Sequence, residues 1–411
     1  MSSPHALTLN AGSSSIKFGL FDVARAPELR ASGLVDRIGG RPCIKAKSAV
    51  GEALVDRDLS GNEAPDHAGA LGVVLRLIDE HFPDVSVAAV GHRVVHGGPV
   101  FYKPVLIDDR TIEELDRFVS FAPLHQPHNL AGIRAARKEF PEALQVACFD
   151  TSFHRSHAWV NDVFALPREY YERGVRRYGF HGLSYDYISS ELARIAPRIH
   201  AGRVVIAHLG NGASMCALLA GQSVGSTMGF TALDGLPMGS RCGQLDPGVL
   251  LYLMEQERMS AAEISDLLYK RSGLLGLSGI SNDMRTLEAS GTPEAQQAIE
   301  YFVFRIRREL GGLAAVLGGL DALVFTGGIG ENSRRIRERV SEGLGWLGIE
   351  LDRARNDQNA RVISTDLSRV RLFVVPTNEE VVIARAAARF LSGAEAGAGS
   401  ASKQSRLMLT A

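Results

Sequence analysis

The chain sets a strand-like run, Leu7-Thr8-Leu9, directly before the turn Asn10-Ala11-Gly12-Ser13-Ser14-Ser15, and a second strand-like run, residues 16–21, directly after it. The pattern is strand, small-residue turn, strand. About two hundred residues on it recurs: Val204-Val205-Ile206-Ala207-His208, then the turn Leu209-Gly210-Asn211-Gly212-Ala213-Ser214, then a strand at 215–219. Little identity joins the two copies outside the turns, so the likeness is one of design. It predicts two similar domains facing one ligand. Small residues let a backbone approach a polyphosphate closely, and successive N–H groups with serine hydroxyls supply donors. Lys17, just past the first turn, would place an ammonium beside the phosphates. Asn10 would ligate Mg²⁺ or hold its waters, because hard cations take oxygen ligands. Either turn alone reads equally well as an ordinary tight hairpin; two of them, one with a lysine, favour the phosphate reading.

Working outward, a third glycine cluster, Gly327-Gly328-Ile329-Gly330-Glu331-Asn332, follows the apolar run 322–326 and precedes a helical pattern. A strand, a glycine-rich turn and a helix N-terminus form a natural nucleotide site. Neither G-x-G-x-x-G nor G-x-x-x-x-G-K-[ST] occurs at that cluster, so a P-loop enzyme is not expected. Arginines lie in two glycine-rich frames, Gly91-His92-Arg93-Val94-Val95-His96-Gly97-Gly98 and Gly239-Ser240-Arg241-Cys242-Gly243. An arginine between glycines presents its fork freely to carboxylate or phosphate, and Arg93 reads as a loop residue at a strand end. His125 is confined between prolines, Asp150 ends the strand 144–149, and His181 opens a helical stretch. Each histidine alone is as easily structural. No pair has the spacing of a zinc site.

The rest of the chain alternates. Helical patterns fall at 68–81, 110–118 and 130–140, after His181, and at 247–258, 261–270 and 293–311; short apolar strands fall at 85–90, 144–149, 322–326 and 371–375. That alternation makes an α/β protein. From residue 392 the composition turns to Gly, Ala and Ser, and a tail at 394–411 is expected to stay disordered. The chain has 411 residues, 45% of them apolar and 22% charged, with a formal net charge of −1. No global field therefore points to nucleic acid or an anionic membrane, and an anionic substrate must be met by a few placed cations. Four scattered cysteines, no signal-like N-terminus and no long apolar segment predict a soluble cytoplasmic protein with reduced thiols.

Together the segments 9–17, 91–98, 149–154, 178–182, 208–214, 228–243 and 327–333 resemble the acetate kinase family, in order and over residues 7–385. The resemblance implies two ribonuclease-H-like domains of the actin-like ATPase superfamily, with the nucleotide cleft between them, and a homodimer. The N-terminal domain would span 1–150 and take back a helix at 384–393; the C-terminal nucleotide-binding domain would span 151–383. Carried over by motif, Asn10 and Glu379 would sit at Mg²⁺ (Mn²⁺ as a substitute). Ser15, Lys17 and the loop His208, Leu209, Gly210, Asn211 and Gly212 would meet the phosphates of ATP or ADP. Asp283, Met284 and Arg285, with Gly328, Ile329, Gly330, Glu331 and Asn332, would hold the adenosine. Arg93 would bind the acetate carboxylate, with Val95, Leu124, Phe180 and Ala232 around its methyl group. Asp150, His181 and Arg241 would surround the transferring phosphoryl group, with His125 close by.

The chemistry agrees with that carry-over: a metaphosphate-like transition state needs cations and donors already in place. A carboxylate acceptor is ionised at pH 7 and needs no general base, so Asp150 is expected to organise rather than to take a proton. Some positions depart from the family pattern. Leu183 and Tyr185 stand where Thr and His are common, Ala232 where Pro is frequent, and Gln244 where Asp is common. Ala232 leaves room for one more methylene, so a propionate or other short-chain acyl kinase stays open. An actin-like nucleotide switch would need neither Arg93 nor Arg241.

Overall fold

The computed structural model describes residues 3–123 and 125–393. Leu124, expected at the acyl pocket, and the tail 394–411 lie outside the described residues. The chain divides into two compact units, one running to Ser152 and resuming at Asn378, the other Phe153–Thr377. The return falls at Asn378 rather than 384 because residue 384 lies inside one unbroken helix, Glu379–Leu391. Asn378 caps that helix, its side chain accepting from Val381 N at 3.0 Å.

The first unit is built on β1 (His5–Ala11), β2 (Ser15–Asp22), β3 (Glu28–Asp36), β4 (Cys43–Ser48), β5 (Ala53–Asp58), β6 (Val87–Val94), β7 (Val105–Leu106) and β8 (Leu144–Phe149). Their order is β5-β4-β3-β2-β1-β6-β8-β7. The hairpin β1–β2 pairs antiparallel, with Asn10 opposite Lys17, while β6 runs parallel to β1 and β8 parallel to β6. Helices cover both faces. Helix His67–His81 lays Leu71, Val74, Leu77 and Ile78 into a core with Leu7, Phe18 and Leu20. On a second cluster, Ala384 and Ala387 of helix Glu379–Leu391 pack with Ala6, Phe21 and Ala89. Alanines on that stripe let helix and sheet approach closely. Gly91 completes the fit: any Cβ there would collide with Cγ2 of Ile383.

The second unit carries β9 (Arg203–Leu209), β10 (Ala213–Leu219), β11 (Gln222–Ser226), β12 (Ala322–Thr326) and β13 (Arg371–Val374), in the order β11-β10-β9-β12-β13. Here too the central strand has an antiparallel hairpin partner on one side and parallel strands on the other. Counted within each unit, both sheets read third, second, first, fourth, fifth over their shared strands, the ribonuclease-H-like order. Helix Gly182–Ile195 buries Tyr185, Ile188 and Leu192 against β9 and β10. Helix Pro293–Val316 buries ten residues.

Two expectations change. Arg93 is in strand β6, not in a loop after it. The cluster at 327–332 is itself a helix, Gly327–Asn332, starting directly after β12. Only its first residue needs glycine's freedom, with φ +76°.

Candidate active site

In the first unit the chemistry gathers at the C-terminal ends of β1, β6 and β8. The turn of the β1–β2 hairpin closes through Gly12 N to Ser15 O, 2.8 Å. It is pinned from outside by His67 Nε2 donating to Gly12 O at 2.7 Å and Asn129 Nδ2 donating to Ala11 O at 2.8 Å. Neither residue stood out in the sequence, because their partners are backbone carbonyls far along the chain. Beside the turn, Arg93 Nε and Nη2 donate to the two carboxylate oxygens of Asp150 at 2.9 and 2.6 Å, and Nη1 donates to Asn10 Oδ1 at 3.3 Å. Glu379 Oε2 lies 3.8 Å from Arg93 Nε. The Asp150 side chain is 2% exposed and that of Arg93 20%. Burial works against the Arg93 charge, but the carboxylates of Asp150, Glu379 and Glu380 outweigh it, so the guanidinium holds its proton more tightly than usual. Three of its N–H groups are used in this way, leaving one on each terminal nitrogen.

In the second unit the centre is Gly212, in the β9–β10 turn. A methyl group placed there would sit 3.2 Å from His181 Nε2 and 3.9 Å from Arg241 Nη2. His181 is the N-cap of helix Gly182–Ile195 with φ +57°, a left-handed conformation unusual for a residue with a side chain. Its Nδ1 is 2.8 Å from Ser214 Oγ, and its ring stacks on His208 with centroids 4.4 Å apart. Arg241 Nη1 donates to Ala232 O at 2.8 Å. The loop carrying Arg241 is clamped on both sides. Gly239 N donates to Asn211 O at 3.0 Å, and Ser272 N donates to Ser240 O at 3.0 Å. Gly273, at φ +62°, brings its backbone against the carbonyls of Met238 and Arg241. An imidazole nitrogen and a guanidinium thus converge on one glycine, an arrangement suited to an anion.

Next to that corner is a cavity of about 810 Å³, lined among others by Gly210, Asn211, Asp283, Arg285, Gly328 and Asn332. Its volume falls in the range of small-molecule sites, roughly 300–1,000 Å³. Met284 and Ile329 also line it, as do three residues the sequence had not marked, Asn282, Glu288 and Ser333. Ser333 Oγ donates to Glu288 Oε1 at 2.6 Å. Glu331 turns elsewhere: its carboxylate accepts from Gly327 N at 2.9 Å and Thr377 N at 3.1 Å, fastening the helix start. Gly330 is buried against β12.

The remaining marked residues spread out. Ser15 and Lys17 stand on β2, Lys17 exposed. His125 caps helix Gln126–Glu139, with its N–H on Ala122 O at 3.0 Å. Val95 is 6% exposed in the first unit, Phe180 1% exposed in the second. Ala232 and His208 are partly buried, and Leu209 is buried.

The sequence profile of the acetokinase family matches residues 5–385. The chain belongs to the acetokinase family. Among curated members, an acetate kinase of Methylocella silvestris is 60% identical over 387 residues, covering 92% of this chain and 96% of that protein. One of Nitrobacter hamburgensis is 54% identical, covering 92% and 94%. Among solved structures, Porphyromonas gingivalis acetate kinase superposes with TM-score 0.85 at 37% identity, over 95% of this chain and 100% of that one. A Francisella tularensis propionate kinase gives 0.86 at 36% identity, over 94% and 99%. The acetokinase fold of these neighbours is the two-domain, actin-like ATPase fold already read from the two sheets.

A divalent cation in an acetokinase can be tested against the oxygen donors present. Asn10 and Glu379, with Asp150 beside them, offer only oxygen, as Mg²⁺ requires. Among the described residues, no three His, Cys, Asp or Glu side chains come together to hold a metal. The set therefore fits a cation that keeps waters and phosphate oxygens rather than one caged by protein. Among the described residues no helix is long and apolar enough to cross a membrane.

Proposed function

We propose that this protein transfers the γ-phosphoryl group of ATP reversibly to acetate, giving acetyl phosphate and ADP, as the names of its most similar relatives describe. The observation that carries the reading is the convergence of His181 Nε2 and Arg241 on Gly212, beside a nucleotide-sized cavity.

In this reading the adenosine takes the cavity at Asp283, Arg285 and Gly328, and the phosphates run past Gly210 and Gly212. The two N–H groups that Arg93 keeps free, one on each terminal nitrogen, pair with the substrate carboxylate. Asp150 fixes the other edge of the same fork. Asp150 is thus a positioning residue, and the carboxylate attacks without losing a proton. His181 and Arg241 meet the equatorial oxygens as charge spreads over them. Asn10 and Glu379 would hold Mg²⁺, whose positive charge would offset that of the phosphates. Chelation with EDTA is expected to abolish turnover, with Mg²⁺ or Mn²⁺ restoring it; full activity after chelation would remove the metal from the reading.

A propionate kinase reading has one specific support, the small Ala232 where a larger residue would narrow an acyl pocket. One methylene changes discrimination by only about 1–3 kcal/mol. Hydroxylamine trapping of acyl phosphate from Mg-ATP with acetate, propionate and butyrate decides both points. Acetate fastest supports the reading, propionate fastest changes the substrate, and no product from any of the three overturns it.

The chain is also proposed to act as a cytoplasmic homodimer. Helix Pro247–Glu255 buries none of its residues although Val249 through Met254 are all apolar. Leu251 is 55% and Tyr252 53% exposed, and a bare apolar helix calls for a covering surface. Light scattering after size exclusion is expected to give twice the 44.3 kDa chain mass, and Leu251→Asp to give monomer.

A further inference from the structure

Behind His181 runs a short hydrogen-bonded chain that the proposed reaction does not by itself require. Tyr185 lies one turn further along the helix that His181 opens, its N–H on His181 O at 3.1 Å. The phenol is 0% exposed and its O–H meets Ser214 Oγ, in a short hydrogen bond. Ser214, on β10 opposite His208 of β9, is also 0% exposed, and its Oγ lies 2.8 Å from His181 Nδ1. We propose that Tyr185 and Ser214 are positioning residues that hold His181 as a neutral ring with its proton on Nε2, the nitrogen turned toward Gly212 and Arg241. The proposal rests on the reading that His181 meets the transferring phosphoryl group.

The argument is a count of protons. A phenol has one to give, and among the described residues Ser214 Oγ is the polar partner that the Tyr185 hydroxyl has. Burial pushes that phenol's pKa well up, so it does not ionise. Ser214 receives the phenol proton and sends its own to the other neighbour, His181 Nδ1. A nitrogen that accepts this bond carries no proton, so the ring proton sits on Nε2. Placing a proton on Nδ1, in the other tautomer or in the imidazolium, would strand a hydroxyl hydrogen in a dry site without an acceptor. Two of the groups facing the ring also bear on its charge. The Arg241 guanidinium lies across Gly212, and the ring of His208 covers one face. The guanidinium disfavours a second positive charge on the ring. The neutral Nε2–H then gives one directed hydrogen bond, while the arginines supply the charge.

The test uses the whole protein with ¹⁵N-labelled histidine and no substrate. The ring signals of His181 are assigned by their loss in His181→Asn. The expected result is a bare Nδ1 and a protonated Nε2 that persist as the pH is lowered through the usual histidine range near ~6.5. In Ser214→Ala the ring is expected to titrate within that range. Kinetically, Ser214→Ala should lower kcat about tenfold with both KM values nearly unchanged. The double variant Ser214→Ala/Tyr185→Phe, which strands no phenol proton, should match it, while Tyr185→Phe alone retains most of kcat. A proton on Nδ1 in the wild type, or wild-type kcat in Ser214→Ala, overturns the proposal. Failure to form any acyl phosphate would overturn the functional reading instead, and the substrate-free ring signals would still decide this one.

Discussion

Arg93 divides its N–H groups between a carboxylate that belongs to the protein and, in the proposed reaction, one that does not. Asp150 accepts from the Nε edge with both oxygens, so each oxygen already holds a hydrogen bond from a cation. Asp150→Asn should therefore raise the KM for acetate about tenfold and leave the solvent isotope effect on kcat near ~1. An isotope effect present in the wild type and absent in the variant would identify Asp150 as a proton acceptor after all. Removing one partner of a buried pair typically costs ~3–5 kcal/mol, so a drop in melting temperature should accompany the kinetic change. Arg241→Ala tests the other cation. With its backbone clamped by the 239–243 loop contacts, loss of the guanidinium should lower kcat at least ~100-fold while ATP affinity stays within a few-fold. Normal turnover would remove it from the phosphoryl site.

Glycine was the hardest residue to interpret from sequence at the level of elements, because one residue type serves three ends. Gly212 leaves open the space between its backbone and the side chains of His181 and Arg241. Gly91 looked like the edge of a loop, and that misplaced Arg93; it is instead a packing glycine, pressed by Ile383 from helix Glu379–Leu391. Gly327 is the only member of its cluster with a positive φ, and the following residues continue as helix. The two hairpins were legible because turn chemistry is local. Strands β4 and β5 were not: β5 is largely exposed and charged, as sheet edges are when protected from pairing. Gly91→Ala should force the helix off the sheet and cost about 1–3 kcal/mol, read as a lower denaturation midpoint. Because that helix carries Glu379, activity should fall as well; an unshifted midpoint would show the contact to be loose.

At the scale of the whole molecule, a fully buried histidine in each unit resists protonation. His92, in the first, is held down to about 4 by burial, with Nε2 donating to Gln145 Oε1 at 2.8 Å. His154, in the second, is held at about 3, again chiefly by burial. Both values fall on folding, so the stabilisation is complete above the unfolded value near ~6.5 and is lost as pH drops toward the folded ones, by a few kcal/mol, on the order of 3 for His92. Urea midpoints measured at pH 7.5 and pH 5 should differ accordingly, with the lower midpoint at pH 5; equal midpoints would mean that neither histidine is kept neutral. The doubling of the design was readable from two turns far apart, whereas the boundaries were not, since they depend on which sheet the last helix joins. That helix has a consequence for biosynthesis. The second unit is one uninterrupted stretch, Phe153–Thr377, whereas Ala6, Phe21 and Ala89 of the first wait for Ala384 and Ala387 to cover them. The usual order, N-terminal domain first, therefore does not apply in full here: the first unit's sheet face stays uncovered until the last helix is made, and it is the surface a nascent-chain chaperone would have to shield.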